Sequence, residues 1–182
     1  RMELATFVPD YRTYTYAQQY DLYTICCKDE YWTDSAIDGA MKRRRGVSII
    51  SSAACKALYN NGGTSAITQR VDFLLHGSTH VFIVFHLKGP PQHFTSMHIT
   101  SDLAVYYDSL SGNKRGRINK EYEGLLDALG ANVDAPKIEQ KESECGAMVV
   151  QRYYELFHGE VYHETGKKVR NTCLNKYISM IH

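Results

Sequence analysis

His80-Val-Phe-Ile-Val-Phe-His-Leu87 decides the fold. It is β-branched and aromatic throughout, too apolar for a surface strand, and Gly89-Pro90-Pro91 breaks it. Two more strands follow, over residues 93–100 and 103–110. A tight Ser101-Asp102 turn joins them, which reads as a hairpin. Downstream, Ser111-Gly112-Asn113 is a turn, residues 121–129 form a short helix closed by Gly130, and residues 136–140 form a short strand. Residues 144–157, closed by Gly159, carry the strongest helical pattern. Upstream, the chain is mainly helical as far as about residue 78. Thr33 or Asp34 can cap a helix through Ile37, Ala40 and Met41, with Lys42-Arg43-Arg44-Arg45 near its end and Gly46 as its stop. Ser51-Ser52 can cap a second helix over 53–59 that Asn60-Asn61-Gly62-Gly63 ends, and a third covers 66–75. Helices first, then a small sheet, then a helix packed on it define an α+β class. Its central sheet is mixed or antiparallel, flanked by helices, and a cysteine stands at the N-terminus of a helix.

The chain has 182 residues, 43% hydrophobic and 23% charged, which suits a single domain over 1–182, helical to about 78 and sheet-bearing beyond. A net charge of +1 argues against a nucleic-acid partner held by bulk electrostatics. No apolar run approaches the ~20 residues of a membrane span, and Arg1-Met2 does not open a signal peptide. Five cysteines, without zinc-type pairs or a dense disulfide pattern, point to free thiols in a reducing compartment, the cytoplasm or nucleus. The lack of tail-like segments fits an excised catalytic domain. Fourteen tyrosines are many for this length, and rings buried with wet hydroxyls account for most of them.

Gln140-Lys-Glu-Ser-Glu-Cys145-Gly146 runs into the last strong helix. Most free cysteines are small buried hydrophobes. Here the preceding polar residues place the thiol at the entrance from solvent-facing chain. A helix N-terminus, with its free N–H groups, favours a thiolate, and Gly146 would let a substrate backbone approach. A thiolate nucleophile needs a base that also protonates the leaving amine. His76, His80, His86, His93 and His98 are candidates. His80 and His86 bracket the apolar strand and suit structural roles. His93 starts the next strand at a sheet edge; His98 is the runner-up, and their odd separation puts them on opposite faces. Asp108 closes the neighbouring strand and can orient His93, although it can also simply open the following turn. Gln140 can donate to an oxyanion beside the Cys145 N–H, although most glutamines are only surface groups.

The ordered set His93-Phe94, Tyr106-Tyr107-Asp108-Ser109-Leu110, Gln140 and Cys145-Gly146 resembles the ubiquitin-like-protein-specific cysteine proteases, which include SUMO-deconjugating and adenoviral-type enzymes. Trp32-Thr33-Asp34 matches that family's Trp-x-(Asn)-Asp segment opening a helix. The resemblance spans Trp32 to about Phe157. It implies Cys145 as nucleophile, His93 as base, Asp108 as its partner and Gln140 as oxyanion donor. It further implies that Trp32, Asp34, Phe94 and Gly146 contact the substrate, with Trp32 and Phe94 enclosing a thin Gly-Gly tail. Phe94 stands where the family usually has Trp, and Glu144 where it commonly has Asp. The implied partner is ubiquitin or a SUMO-type modifier and its conjugates, and the chemistry requires no metal or organic cofactor.

Two other functions remain open on the same residues: processing of viral polyproteins or effector acetyl transfer, either of which would put the enzyme in a host cell, and a modifier-binding module with a vestigial site. The basic run Lys42–Arg45 fits a solvated helix end complementing the dipole better than a partner surface. Lys114, Arg115 and Arg117 are candidates for the edge of the substrate cleft.

Overall fold

A computed structural model of the chain describes residues 2–110, 114–134, 140, 143–161 and 163–181. The helices are α1 (Met2–Phe7), α2 (Tyr16–Cys26), α3 (Asp34–Ala40), α4 (Ser52–Leu75), α5 (Lys114–Glu121), α6 (Leu125–Ala128), α7 (Cys145–Phe157) and α8 (Gly166–Ile181). The strands are β1 (Val47–Ile50), β2 (His80–Leu87), β3 (His93–Ile99), β4 (Ala104–Tyr107) and β5 (Asn132–Asp134). The fold is α+β, with a mixed five-stranded sheet and flanking helices. Packing gathers the chain into two compact units, Arg1–Lys42 with Gln140–His182, and Arg43–Glu139.

The second unit holds the whole sheet, in the order β1-β2-β3-β4-β5. Strands β2, β3 and β4 are antiparallel neighbours, while β1 runs parallel to β2 and β5 parallel to β4. The central position of β2 explains its composition. Val81, Ile83, Phe85 and Leu87 point into one core, and Phe82 and Val84, on the opposite face, are also buried. Onto the first face α4 packs Cys55, Ile67 and Val71, α5 brings Ile118, α6 brings Leu125 and Leu126, and Tyr122 joins from the link between α5 and α6. Each large apolar side chain buried here contributes roughly 1.5–3 kcal/mol. The Ser101-Asp102 turn is tied by Thr100, whose hydroxyl accepts from the N–H groups of Asp102 and Leu103.

Several boundaries differ from the sequence reading. The helix capped by Thr33 closes at Ala40, so the basic run lies beyond it, in the connection to β1. The expected second and third helices are two segments of α4 that meet at a kink on Gly63, where φ is 65° and ψ −154°. Of the helix expected over 121–129 only Leu125–Ala128 forms, as α6 behind its N-cap Gly124 (φ 77°), while α5 ends at Glu121. The expected 111–113 turn lies outside the described residues, as do 136–139 of the expected 136–140 strand. A strand does form just before, at β5.

In the first unit, α8 packs against α2, α3 and α7. A side chain at Gly39 would meet the Tyr177 ring at 2.8 Å, which is how closely α3 and α8 approach. Buried Asp21 on α2 accepts from Thr33 Oγ1 at 2.6 Å, Ser35 Oγ at 2.7 Å and Tyr177 OH at 2.8 Å. Hydrogen bonds to a buried carboxylate contribute roughly 1.5–3 kcal/mol each. This one therefore locks the start of α3 to α2 and α8.

Candidate active site

The His93–Asp108 pair is assembled within the sheet unit. Leu87 faces His93 across β2–β3, and Ser96 faces Tyr107 across β3–β4, so Asp108 emerges one residue past the end of β4. His93 Nε2 lies 2.6 Å from Asp108 Oδ1, with the two residues 2% and 6% exposed. With Nε2 donating and the carboxylate accepting, Nδ1 is the ring nitrogen that would carry the lone pair in the neutral form. The same Oδ1 accepts from the Leu110 N–H at 2.9 Å, so Asp108 also shapes the turn after β4. Burial keeps water from competing for these bonds.

At the other end of β3, His98 lies 2.9 Å from His80 across β2, Nε2 to Nδ1, their rings stacked with centroids 5.1 Å apart. His86 Nε2 meets Gln92 Oε1 at 2.5 Å. Phe94 has no exposed surface and stacks on His86, ring centroids 4.2 Å apart. Arg117 donates to the Pro91 carbonyl at 2.9 Å, while the side chains of Lys114 and Arg115 lie outside the described residues.

The thiol end belongs to the first unit. Cys145 is the first residue of α7 and 1% exposed. Glu144, directly before it, does not face solvent as the polar stretch suggests. Glu144, the N-cap residue, is fully buried and accepts from the Gly166 N–H, while Ser143 donates to the Lys28 carbonyl. A polar sequence had suggested exposure, yet these side chains are spent on backbone donors and acceptors that fix the entrance of α7. Trp32 is buried, and a side chain at Gly146 would meet its Cβ and Cγ at 3.0 Å. Glycine at 146 thus lets the indole lie tightly against the first turn of α7, where a Cβ would press on it. The Trp32 Nε1 is buried without a hydrogen-bond partner among the described residues.

Asp34 is half-buried in the first turn of α3, directly after the Thr33 cap, whose Oγ1 accepts from the Ala36 N–H at 3.0 Å. Gln140 is half-buried in irregular chain, and residues 141–142 between it and Ser143 are outside the described residues. The helix behind Cys145 is held from its far side. Tyr154 OH donates to the Ala40 carbonyl at 2.7 Å, and Tyr153 OH to that of Lys42 at 2.6 Å. Sequence reading missed Asp21, Glu144 and these tyrosine bonds, because nothing local separates them from surface residues.

Three of the other four thiols are held in their protonated form by burial. Burial pushes Cys26 and Cys55 up to about 12, and raises Cys173 as well. All three stay protonated, and so weakly nucleophilic, near neutral pH. Among the described residues no group of three or more His, Cys, Asp or Glu side chains is placed to hold a metal ion. No described helix is long and apolar enough to cross a membrane.

Comparison with solved structures places the fold. The SUMO protease Ulp1 matches over 100% of this chain and 94% of its own, with 12% identity and a TM-score of 0.64. A de-sumoylating protease matches over 88% of this chain and 83% of its own, at 20% identity and a TM-score of 0.57. The Xanthomonas campestris effector XopD, solved bound to ubiquitin, matches over 82% of this chain and 90% of its own, at 12% identity and a TM-score of 0.55. The chain therefore has the fold of the ubiquitin-like-protein-specific cysteine proteases. No protein-family model matches it, and no curated protein matches its sequence.

Proposed function

We propose that the protein is a cysteine protease or isopeptidase that cleaves after the C-terminal Gly-Gly of ubiquitin or a SUMO-type modifier. The observation that carries this reading is the buried 2.6 Å pair of His93 and Asp108, closing adjacent strands of a protease-type sheet. Its natural counterpart is Cys145 at the entrance of α7. Cys145 Sγ attacks the glycyl carbonyl carbon while its proton passes to His93 Nδ1, and Asp108 stabilises the resulting imidazolium. The tetrahedral oxyanion accepts from the Cys145 backbone N–H and the Gln140 amide. Collapse breaks the C–N bond, the amine leaves with the proton from His93, and a thioester remains. Water then attacks the thioester carbonyl and gives its proton to His93, which returns it to the thiolate as the carboxylic acid departs.

On the substrate side, Trp32 and Gly146 hold a tail no thicker than glycine, and Asp34 orients it. A buried indole N–H needs an acceptor, and a backbone carbonyl of the tail meets that need. Phe94, lacking exposed surface, serves from behind by setting the strand next to His93. Ubiquitin-bound XopD and Ulp1 in complex with Smt3, the yeast ortholog of SUMO, support a partner of this type. A reducing compartment keeps the thiol active.

The test is covalent capture by ubiquitin and SUMO carrying C-terminal vinyl-sulfone groups. The expected result is one adduct, mapped to Cys145 and absent from Cys145→Ala. A wild-type chain that resists both probes, or an adduct on another cysteine, would end this reading. Gln140→Ala is expected to lower turnover by ~10²–10³, the scale of a lost oxyanion donor.

A further inference from the structure

A second candidate site lies at the other end of the sheet unit, on the edge strand β1. Beside it runs a groove of about 450 Å³. Ile49, Leu58 and Leu74 line it, while Ala57 and Ala66 keep the α4 wall too low to fill the space. The kink of α4 at Gly63 falls along this wall. Arg70 lines the same groove, and Phe73, one turn further along α4, is 72% exposed. Arg44 and Arg45 are exposed and lead directly into β1.

Three physical features coincide here. A strand at the edge of a sheet presents backbone N–H and C=O groups to whatever lies alongside it. An apolar trough next to such a strand accepts the alternate side chains of an added strand. Cations at both the β1 approach and the α4 rim favour negative charge flanking the apolar residues. Arginine's fork suits carboxylates in particular. The helix-end account of the basic run does not compete, because α3 closes before it begins.

We propose that this groove docks an extended peptide segment of a partner protein, apolar at its centre and acidic at its flanks, added to β1 as an outer strand. The site is separate from the residues assigned to catalysis and uses none of them. It would hold a partner's tail while chemistry proceeds elsewhere.

The test is fluorescence anisotropy with the full chain and a labelled peptide bearing a Val-Ile-Val-Ile centre between Asp-Glu pairs. Saturable binding is expected, weakened about tenfold or more when the flanks are Lys-Lys, since like charges then face Arg44, Arg45 and Arg70. A proline in place of the central isoleucine removes a ladder donor and is expected to abolish binding. Arg70→Glu should weaken binding of the acidic peptide about tenfold and strengthen the Lys-flanked one. Ala57→Glu, a solvent-side helix change, should block both, with circular dichroism and vinyl-sulfone labelling unchanged. Equal binding of acidic and basic peptides overturns the proposal, as does no saturable binding. A concentration-dependent dimer broken by Ala57→Glu also overturns it, because the occupant would be a second copy pairing through β1.

Discussion

The two ends of β3 carry one histidine each, and the two are in different chemical situations. At the start, His93 is buried and bonded to a carboxylate; at the end, His98 is half-buried and stacked on another imidazole. Both rings belong to the same strand, five residues apart and therefore on opposite faces. What separates them is the neighbour across the sheet. The first sits where β4 runs out into Asp108; the second sits opposite β2, where His80 is the available partner. A histidine becomes a candidate base through the acid that holds its second nitrogen, and at the start of β3 Asp108 supplies one.

That contrast can be broken most directly by His93→Ala, expected to reduce hydrolysis of a ubiquitin or SUMO C-terminal fluorogenic substrate by ~10³-fold or more. His98→Ala should stay within about threefold of wild type, as removal of a group outside the chemistry does. Reversal of the two results would move the base to the wrong end of the strand. Next in size, Asp108→Asn keeps an acceptor for the Leu110 N–H but no longer stabilises an imidazolium. Turnover should fall by ~10²–10⁴ with the melting temperature nearly unchanged, read from steady-state rates beside thermal denaturation. Equal losses in Asp108→Asn and His98→Ala would show that the carboxylate serves only the turn.

A smaller effect sharpens the same lesson for thiols. Burial raises Cys26 and Cys55 to about 12 in the folded chain, well above their ordinary value of 9.0. The folded state thus holds these protons more tightly than the unfolded state. Their contribution is complete below about pH 9 and is lost as pH rises toward 12. Denaturant unfolding should show stability declining over that window, and Cys55→Ala should lose about 1 kcal/mol at pH 7 yet decline less steeply. An identical slope would mean that the Cys55 thiol titrates alike in both states.

Much of this was legible in the residues. The apolar run of β2, the hairpin that follows it and the periodicity of α7 are strong local signals, as are the Thr33 and Ser51 caps. The meeting of His93 and Asp108 was legible too, because strand alternation and a short turn nearly dictate which ends come together. β1 was not: four residues between a basic run and a cap form a strand only because β2 lies parallel beside them. α5 was hidden for a similar reason. Its one strongly apolar residue, Ile118, gives no helical stripe, yet it is fully buried. Glu144 misled in the opposite sense, a charged residue that is wholly buried because the Gly166 N–H meets its carboxylate.

By itself, then, the order of residues determined the class of fold, the strands around His93 and the helix that begins at Cys145. Those depend on period, turn chemistry and capping, which act over a few residues. Tertiary structure alone decided that Asp21 ties three helices together, that Trp32 lies on Gly146 and that an arginine-rimmed trough runs beside β1. Those contacts join residues up to 156 positions apart, and no local propensity encodes a partner at that separation.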